Sequence, residues 1–479
     1  MRPSTLFWLT AALALAAYGA TPNGVEFSDA VLLRDRLETG VPHYHAAYVP
    51  LGSPFLHAGR ALFGWSADAG AIWFSRVCSA LAAGGAAVAI ARRVSSPLLS
   101  GAGALALALA PAIWFFAVCA EVHGLQLLGA VVAYECADRA RRASRGRALA
   151  WFGAGVLAAL ATHLTSLLLA PLLAWLALGD DGDHGLQRRS LARLAAGLAL
   201  AGLAGPLLAS TLLAEWQPAQ GLRTFVVLWW DRVAQGDFFS GRESLEYLWD
   251  EWFVRAGLLW PGTVAGLFVA RARRAAVAVL VGCLPFVLIF SQGGVREAGA
   301  YFVGLYPPMA LATAGVLDHL TRRRSTRLRA ALALALVAGQ AGLALPTVRS
   351  LVRGQDMASW LAAVEGECSP GSTVVTSSLP QMHSAGTSSI DFDTMDLRYA
   401  LEIEPARDRE AVVAERLGIL GGRLARGAHV YFDAALIVGD DPRGVFVTLR
   451  RRLAESPIAL EPRPAEGPPV LFEAVLDAR

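Results

Sequence analysis

Lysine is absent from this 479-residue chain, so all 42 basic side chains are arginines. Charge is scarce as well. Only 17% of residues are Asp, Glu or Arg, against roughly a quarter in a soluble domain. With 55% hydrophobic residues, that scarcity excludes a wholly soluble protein and points to an integral membrane protein with a soluble remainder. Cysteine is also rare: Cys78, Cys119, Cys136, Cys283 and Cys368 form no Cys-x-x-Cys pair. No redox or metal framework is therefore visible, and a Cys119–Cys368 disulfide is not expected. A phosphate-binding loop is missing too. Gly421-Gly422 lacks the rest of any such fingerprint, and Gly101-x-Gly103 lies inside an apolar run. No internal repeat stands out. The net charge of +3 is small, and the arginines cluster in short loops, which is a topology signal rather than a nucleic-acid footprint. Abundant Arg and Ala without Lys is the composition of a GC-rich bacterial genome.

What is present is a series of apolar runs. A spanning helix needs about 20 such residues. Candidates run over 5–21, 70–91, 97–117, 121–136, 148–162, 164–179, 191–213, 257–270, 275–291, 301–317 and 329–346, which makes about eleven. The 148–179 stretch also reads as one re-entrant pair. The N-terminal run carries Arg2 but no clear small-residue cleavage site, so it is expected to stay as the first span. With the N-terminus inside, Arg92-Arg93, the Arg139–Arg147 cluster, Arg188-Arg189, Arg271–Arg274 and the Arg322–Arg329 cluster all fall on the inner side. A single miscounted span would turn half of them outward. The expected protein is thus a multi-pass bacterial inner-membrane protein.

The outer side then holds the 22–69 loop, the turn at Glu121–His123, the Trp-rich and acidic 215–256 loop and the turn Gln292–Glu297. The odd span count also exports residues 349–479. There Ser372–Thr376 and His429–Phe432 read as strands. Residues Arg407–Leu424 read as an amphipathic helix with Val412, Val413, Leu417 and Leu420 on one face. Phe446–Leu453 is ambiguous between strand and helix. The fold class expected is mainly α: a transmembrane bundle over 1–348 carrying a small extracytoplasmic α/β domain over 349–479.

Ionisable residues at the edge of a bilayer are costly and usually functional. Asp29 lies about eight residues past the first span, near the outer headgroup level, where a carboxylate can take a proton from a hydroxyl. Glu26, three residues earlier, shares its face on a helical turn; the pair could divide roles or bind a divalent metal such as Mg or Mn. Either could instead cap the helix expected over 30–38. Val41-Pro42 stiffens the turn that presents His43 and His45, which could donate to a phosphate or ligate a metal; an aromatic interfacial loop is the alternative. Arg34 and Arg60 read as phosphate partners or as interfacial anchors. Glu121 and His123 occupy a minimal outer turn beside that loop, in either a structural or a catalytic role. His163 reads as a satisfied polar residue at a helix junction. Arg296 follows Gly293-Gly294 on an outer turn, and its planar fork suits a phosphate, although Glu297 could neutralise it.

Gly40-Val41-Pro42-His43 after an acidic outer loop, and Pro111-Ala112-Ile113-Trp114 followed by Ala120-Glu121-Val122-His123-Gly124-Leu125, resemble the GT-C glycosyltransferases. Within them the similarity is to multi-pass proteins related to the protein O-mannosyltransferases. It covers roughly residues 1–140. Asp29 lies within one residue of that family's aspartate. Ala-Val-Leu follows it in place of Ser-Gly-Glu, and Tyr-His-Ala follows His43 in place of Pro-Pro-Gly. The resemblance implies transfer of a sugar from a polyprenyl-phosphate donor to a hydroxyl acceptor on the outer face. Asp29 would be the base, and Arg296, the histidines or a metal would hold the phosphate. A scaffold or a lipid-substrate flippase are the alternatives. A flippase would want charges at mid-bilayer or paired repeats, whereas those seen here gather at the outer edge.

Overall fold

The computed structural model describes residues 1–21, 30–41, 45–178, 242–290, 299–353, 364, 366–369, 371–376, 391–393, 409–439, 446–464 and 471–476. The chain forms two compact units. One comprises 1–24, 33–292 and 296–353; the other comprises 25–32, 293–295 and 354–479.

The first unit is helical. It opens with α1 (Pro3–Gly19), α2 (Ala30–Thr39), α3 (Tyr48–Phe63) and α4 (Ala67–Ala91). Gly64, at φ +69°, ends α3 in the left-handed region that glycine tolerates best. Ser66 then caps α4 by accepting the Ala69 N–H at 3.2 Å. Next come α5 (Pro97–Ala108) and α6 (Pro111–Ala117), expected as one span over 97–117. They are instead bent by 68°. Pro111 forces Ala110 out of the helical region, to ψ 137°, and the carbonyl freed at Ala108 accepts the Tyr18 hydroxyl at 3.0 Å. Further along are α7 (His123–Arg142), α8 (Arg145–Thr162), a 3₁₀ turn over Leu164–Leu169 and α9 (Ala170–Ala177).

After residue 241 the helices are Arg242–Leu248, a π-helical turn Trp249–Phe253, Leu259–Gly266, Ala270–Phe290, a 3₁₀ turn Ala300–Leu305, Tyr306–Thr321 and Thr326–Arg353. The run expected over 257–270 is only an eight-residue helix. Its start is a sharp turn at Gly257, φ +58°. Buried Gln340 clamps that turn, accepting from Leu258 N–H at 2.7 Å and donating to Ala256 O at 3.1 Å. The next helix begins at Ala270, so Arg271–Arg274 form its first turn rather than a loop. Among the described residues, three helices are long and apolar enough to cross a bilayer: 67–91, 300–321 and 326–346. The bent α5–α6 pair makes a fourth candidate. That is fewer than the eleven expected. α1 and the apolar part of α8 are short, 164–179 divides at the 3₁₀ turn, and 191–213 lies outside the described residues.

Basic clusters far apart in sequence do meet at one end of this unit. Arg93 and Arg142 pair with buried Asp138, and Arg141 lies 4.0 Å from it. Arg92 and Arg139 flank Glu135. Asp318 accepts the Ser95 hydroxyl at 2.5 Å and lies 4.0 Å from Arg271.

The second unit carries a five-stranded mixed sheet of order β2-β1-β3-β5-β4, with β1 Thr373–Val375, β2 Asp391–Asp393, β3 Val430–Asp433, β4 Ile458–Arg463 and β5 Leu471–Leu476. β1 runs parallel to β2 and β3; β5 runs antiparallel to β3 and β4. The helix expected over 407–424 is Arg409–Ala425. Its Val413 and Leu420 pack with Phe432 and with Leu449 and Leu453. The ambiguous 446–453 stretch is a helix, Val447–Glu455.

Glu473 on β5 accepts from Arg463 Nε at 2.9 Å and pairs with His429 Nδ1 at 3.2 Å. Burial pushes its pKa up, but the bonds from His429 and Arg463 outweigh that and hold it below the usual carboxylate value. A lowered folded-state pKa stabilises the fold fully above the unfolded carboxylate pKa, and that contribution is lost as pH falls through the folded value. Amide exchange in β5, corrected for intrinsic chemistry, should therefore accelerate as the pH drops below the ordinary carboxylate range. In Glu473→Gln this acid-dependent step should vanish.

Candidate functional site

Glu26, Asp29, His43 and Arg296, all singled out from sequence, lie outside the described residues. His45, Glu121 and His123 are described and are 3%, 3% and 5% exposed. They belong to a buried polar cluster in the first unit where α4, α7 and the α8 terminus meet.

The bend at Pro111 sends α6 across the bundle, and the chain then turns tightly into α7. Glu121 sits in that turn. Its carbonyl accepts the Ser75 hydroxyl at 2.8 Å, and its Oε2 accepts the Val122 N–H at 3.3 Å. Close approach of α4 and α7 depends on Gly124. A Cβ there would lie 2.6 Å from the Ser75 carbonyl oxygen and 2.8 Å from Ser79 Oγ.

A hydrogen-bonded chain runs from α7 to the junction after α8. His123 Nδ1 donates to Gln126 Oε1 at 2.7 Å, and Gln126 Nε2 donates to Thr165 Oγ1 at 3.3 Å. His163 Nδ1 accepts both the Thr165 hydroxyl at 2.7 Å and the Thr165 backbone N–H at 3.2 Å. In this arrangement Nδ1 is a donor in His123 and an acceptor in His163. His45 stacks on His163 with ring centroids 4.3 Å apart, and His123 lies 5.3 Å from the same ring. The backbone makes the same connection, since Ala47 N–H donates to Ala161 O at 2.7 Å. His163 is thus a satisfied junction residue, as its flanking apolar runs suggested, and it also holds the first loop. His163→Ala removes the stacking partner and the acceptor of the chain. A loss of roughly 1–3 kcal/mol is expected, read as a lower melting temperature in detergent.

Arg76 was not singled out from sequence. Inside α4 it is 4% exposed, donates to Thr21 O at 3.1 Å and lies 4.9 Å over the Trp73 ring. It is within electrostatic range of Cys119, which also feels Glu121. The signal was available: a lone arginine inside an apolar span is a functional flag by default. Arg34 and Arg60, in contrast, pair with Asp68 and Glu38, each at 2.7 Å, and brace the juxtamembrane helices.

Another buried carboxylate, Glu251, lies in the π-helical turn and is 3% exposed. Its Oε2 accepts the Gly299 N–H at 2.8 Å. Gly299 is at φ +87°, and a Cβ there would meet Glu251 O at 2.9 Å and Ala112 Cβ at 3.1 Å. Ala112 is one helical turn from Phe116 on α6, and Phe116 packs on His123 at 4.4 Å. One face of α6 therefore touches both the histidine cluster and Gly299. Among the described residues no group of three His, Cys, Asp or Glu side chains could hold a metal; the possible ligands Glu26, Asp29 and His43 lie outside them.

The chain's fold is similar to that of ArnT from Cupriavidus metallidurans. Against the structure of that protein bound to undecaprenyl phosphate, the TM-score is 0.55 at 13% identity, covering 98% of this chain and 97% of the other. Against its apo state the TM-score is 0.50 at 12% identity, with the same coverage. No protein-family model matches the chain, and no curated protein does.

Proposed function

We propose that this protein is a membrane glycosyltransferase of the GT-C type. It would move a sugar from a polyprenyl-phosphate carrier to a hydroxyl acceptor on the outer face of the bacterial inner membrane. The observation that carries this reading is the end-to-end likeness to a fold solved with undecaprenyl phosphate bound. The buried Glu121–histidine cluster supports it, because such a concentration of polar groups in an apolar bundle is expensive unless it serves a ligand.

In the proposed reaction the acceptor oxygen attacks the anomeric carbon and gives its proton to the Asp29 carboxylate. The bond between the anomeric carbon and the phosphate oxygen breaks, and its electron pair leaves with the polyprenyl phosphate. Arg296 is proposed to meet that growing charge, with His43 and His45 as donors beside it. Electrostatic stabilisation of this kind is generally the largest catalytic contribution. Glu26 assists Asp29, and Glu121 and His123 orient the first loop and the substrate. No step is assigned to a metal. The 215–256 loop and the second unit are proposed to receive the acceptor.

The test is incubation of purified protein with a panel of labelled prenyl-phosphate sugars and hydroxyl acceptors, with mass spectrometry of the products. A glycosylated acceptor together with released polyprenyl phosphate is expected. Movement of intact carrier across vesicles without new glycosidic bonds would establish a flippase instead.

A further inference from the structure

We propose that the arginine turn between the last two helices of the first unit is a docking surface for anionic phospholipids. Arg322, Arg323, Arg324, Arg327 and Arg329 fall within eight residues, and no acidic residue occurs between Asp318 and Asp356. The first four of these arginines are exposed, and among the described residues none of the four pairs with a carboxylate. Asp318, one helical turn before Arg322, is buried, accepts from Ser95 and lies 4.0 Å from Arg271. The charge of the turn is therefore balanced from outside the chain.

The turn is built to hold that charge in place. Arg329 reaches back from the second helix. Its Nε donates to Thr321 O at 3.3 Å and its Nη2 to Arg322 O at 3.0 Å, which satisfies carbonyls at the end of helix Tyr306–Thr321. Ser325 Oγ accepts the Leu328 N–H at 3.3 Å and caps the start of helix Thr326–Arg353. The four exposed guanidiniums are thus fixed at the junction of two helices long and apolar enough to cross a bilayer.

The flank of the second helix separates a lipid from a free phosphate. Only 22% of its apolar window is buried, against 67% and 83% in the other two candidate spans, so most of it meets hydrocarbon directly. Exposed apolar side chains begin at the arginines: Leu320 is 59% exposed, Leu328 40% and Leu334 70%. Arg327 and Leu334 are seven residues apart, so they share one side of the helix, about 10 Å apart along its axis. A phospholipid whose phosphate meets Arg327 lays an acyl chain over Leu328 and Leu334. A free phosphate would use the arginines alone. Guanidinium forks match phosphate oxygens in pairs, and clustered arginines beside a spanning helix suit anionic headgroups. With the N-terminus inside, the turn meets the cytoplasmic leaflet; the docking surface depends neither on the leaflet nor on the proposed sugar transfer.

The test places a fluorophore on Leu334→Cys in full-length protein reconstituted in phosphatidylcholine, with acyl-brominated phosphatidylglycerol as quencher. Four of the five native cysteines are buried, and labelled wild type supplies the background. Brominated phosphatidylglycerol should quench the probe at about one-fifth of the bulk fraction needed with brominated phosphatidylcholine, the effect of ~1 kcal/mol for one engaged arginine. Arg327→Gln should reduce this preference, and replacing Arg322, Arg323, Arg324 and Arg327 together by Gln should abolish it. Rising salt should weaken it without any substitution. A probe on Leu284→Cys, 59% exposed on helix Ala270–Phe290, should not respond to the arginine variants. Equal quenching by the two lipids at Leu334→Cys overturns the proposal, and so does a preference that survives the quadruple variant. A preference abolished by inorganic phosphate at the concentration of the lipid also overturns it, by making the turn a free-anion site. Protection of the probe from both lipids, with a dimer on cross-linking, puts a second copy of the chain on this flank instead.

Discussion

Asp29→Asn should lower sugar transfer by about two to four orders of magnitude, the usual contribution of a positioned general base. The substitution keeps size and hydrogen-bonding shape, so the variant should insert and melt like wild type. The contrast with Glu121→Gln makes the assignment sharp. Glu121 is buried, its Oε2 already accepts the Val122 N–H, and its carbonyl is bonded to Ser75. It is proposed to bind and hold rather than to accept the proton. Neutralising it should cost about ten- to a hundredfold, the worth of one charge-assisted hydrogen bond at ~1.5–3 kcal/mol. Initial rates with a labelled donor, on membranes with matched protein content, give the ranking. Normal turnover in Asp29→Asn would remove that residue from the mechanism.

The second large effect should come from Gly124→Val. The nearest obstacle to a side chain there is the backbone of α4, the Ser75 carbonyl 2.6 Å from an added Cβ and the Ser75 Cα at 3.2 Å. Backbone cannot swing aside as a flexible side chain can. Overpacking usually costs about 1–3 kcal/mol and occasionally more, and a β-branched residue at this position belongs at the upper end. The same shift would drag Ser75 off the Glu121 carbonyl, so activity should fall together with the melting temperature. Gly146→Val is the control, since nothing lies within 4 Å of a Cβ at that position. A Gly124→Val protein as stable and active as wild type would mean that α4 and α7 do not meet as described.

The arginines were the most legible part of the sequence. Arg92-Arg93, Arg141-Arg142 and Arg271–Arg274 were assigned to one side from span counting; Arg93 and Arg142 share Asp138, and Arg271 lies 4.0 Å from Asp318, which accepts the Ser95 hydroxyl just beyond Arg93. Long-range pairing of this sort needs only the parity of the spans, which survives errors in their ends. The span boundaries were less legible. Hydropathy averages over a window and does not register the Pro111 bend or the clamp that Gln340 places on Gly257. In the second unit, Val374 and Phe432 announced their strands through local β-propensity, but β2, β4 and β5 were missed. The β4 sequence, Ile458–Arg463, mixes charge and proline with apolar positions, so its pairing is set by its partner rather than by local preference; Leu471–Leu476 is apolar but for Glu473 and was a legible strand. Of the candidate site, Glu121 and His123 were visible as polar breaks in apolar sequence. Their connection to His163 through Gln126 and Thr165 was not, because those residues come together only when α8 lies along α7.

The hydroxyl of Tyr18 resting on the Ala108 carbonyl, with the Trp114 indole donating to Thr21 Oγ1 at 2.9 Å, makes the end of α1 a prop under the α5–α6 bend. Peptidase trimming after Ala20, or an expression vector that swaps this stretch for a generic secretion leader, would strip the lining from the kink above and let water or detergent invade it. Epitopes and purification handles therefore belong at the far terminus.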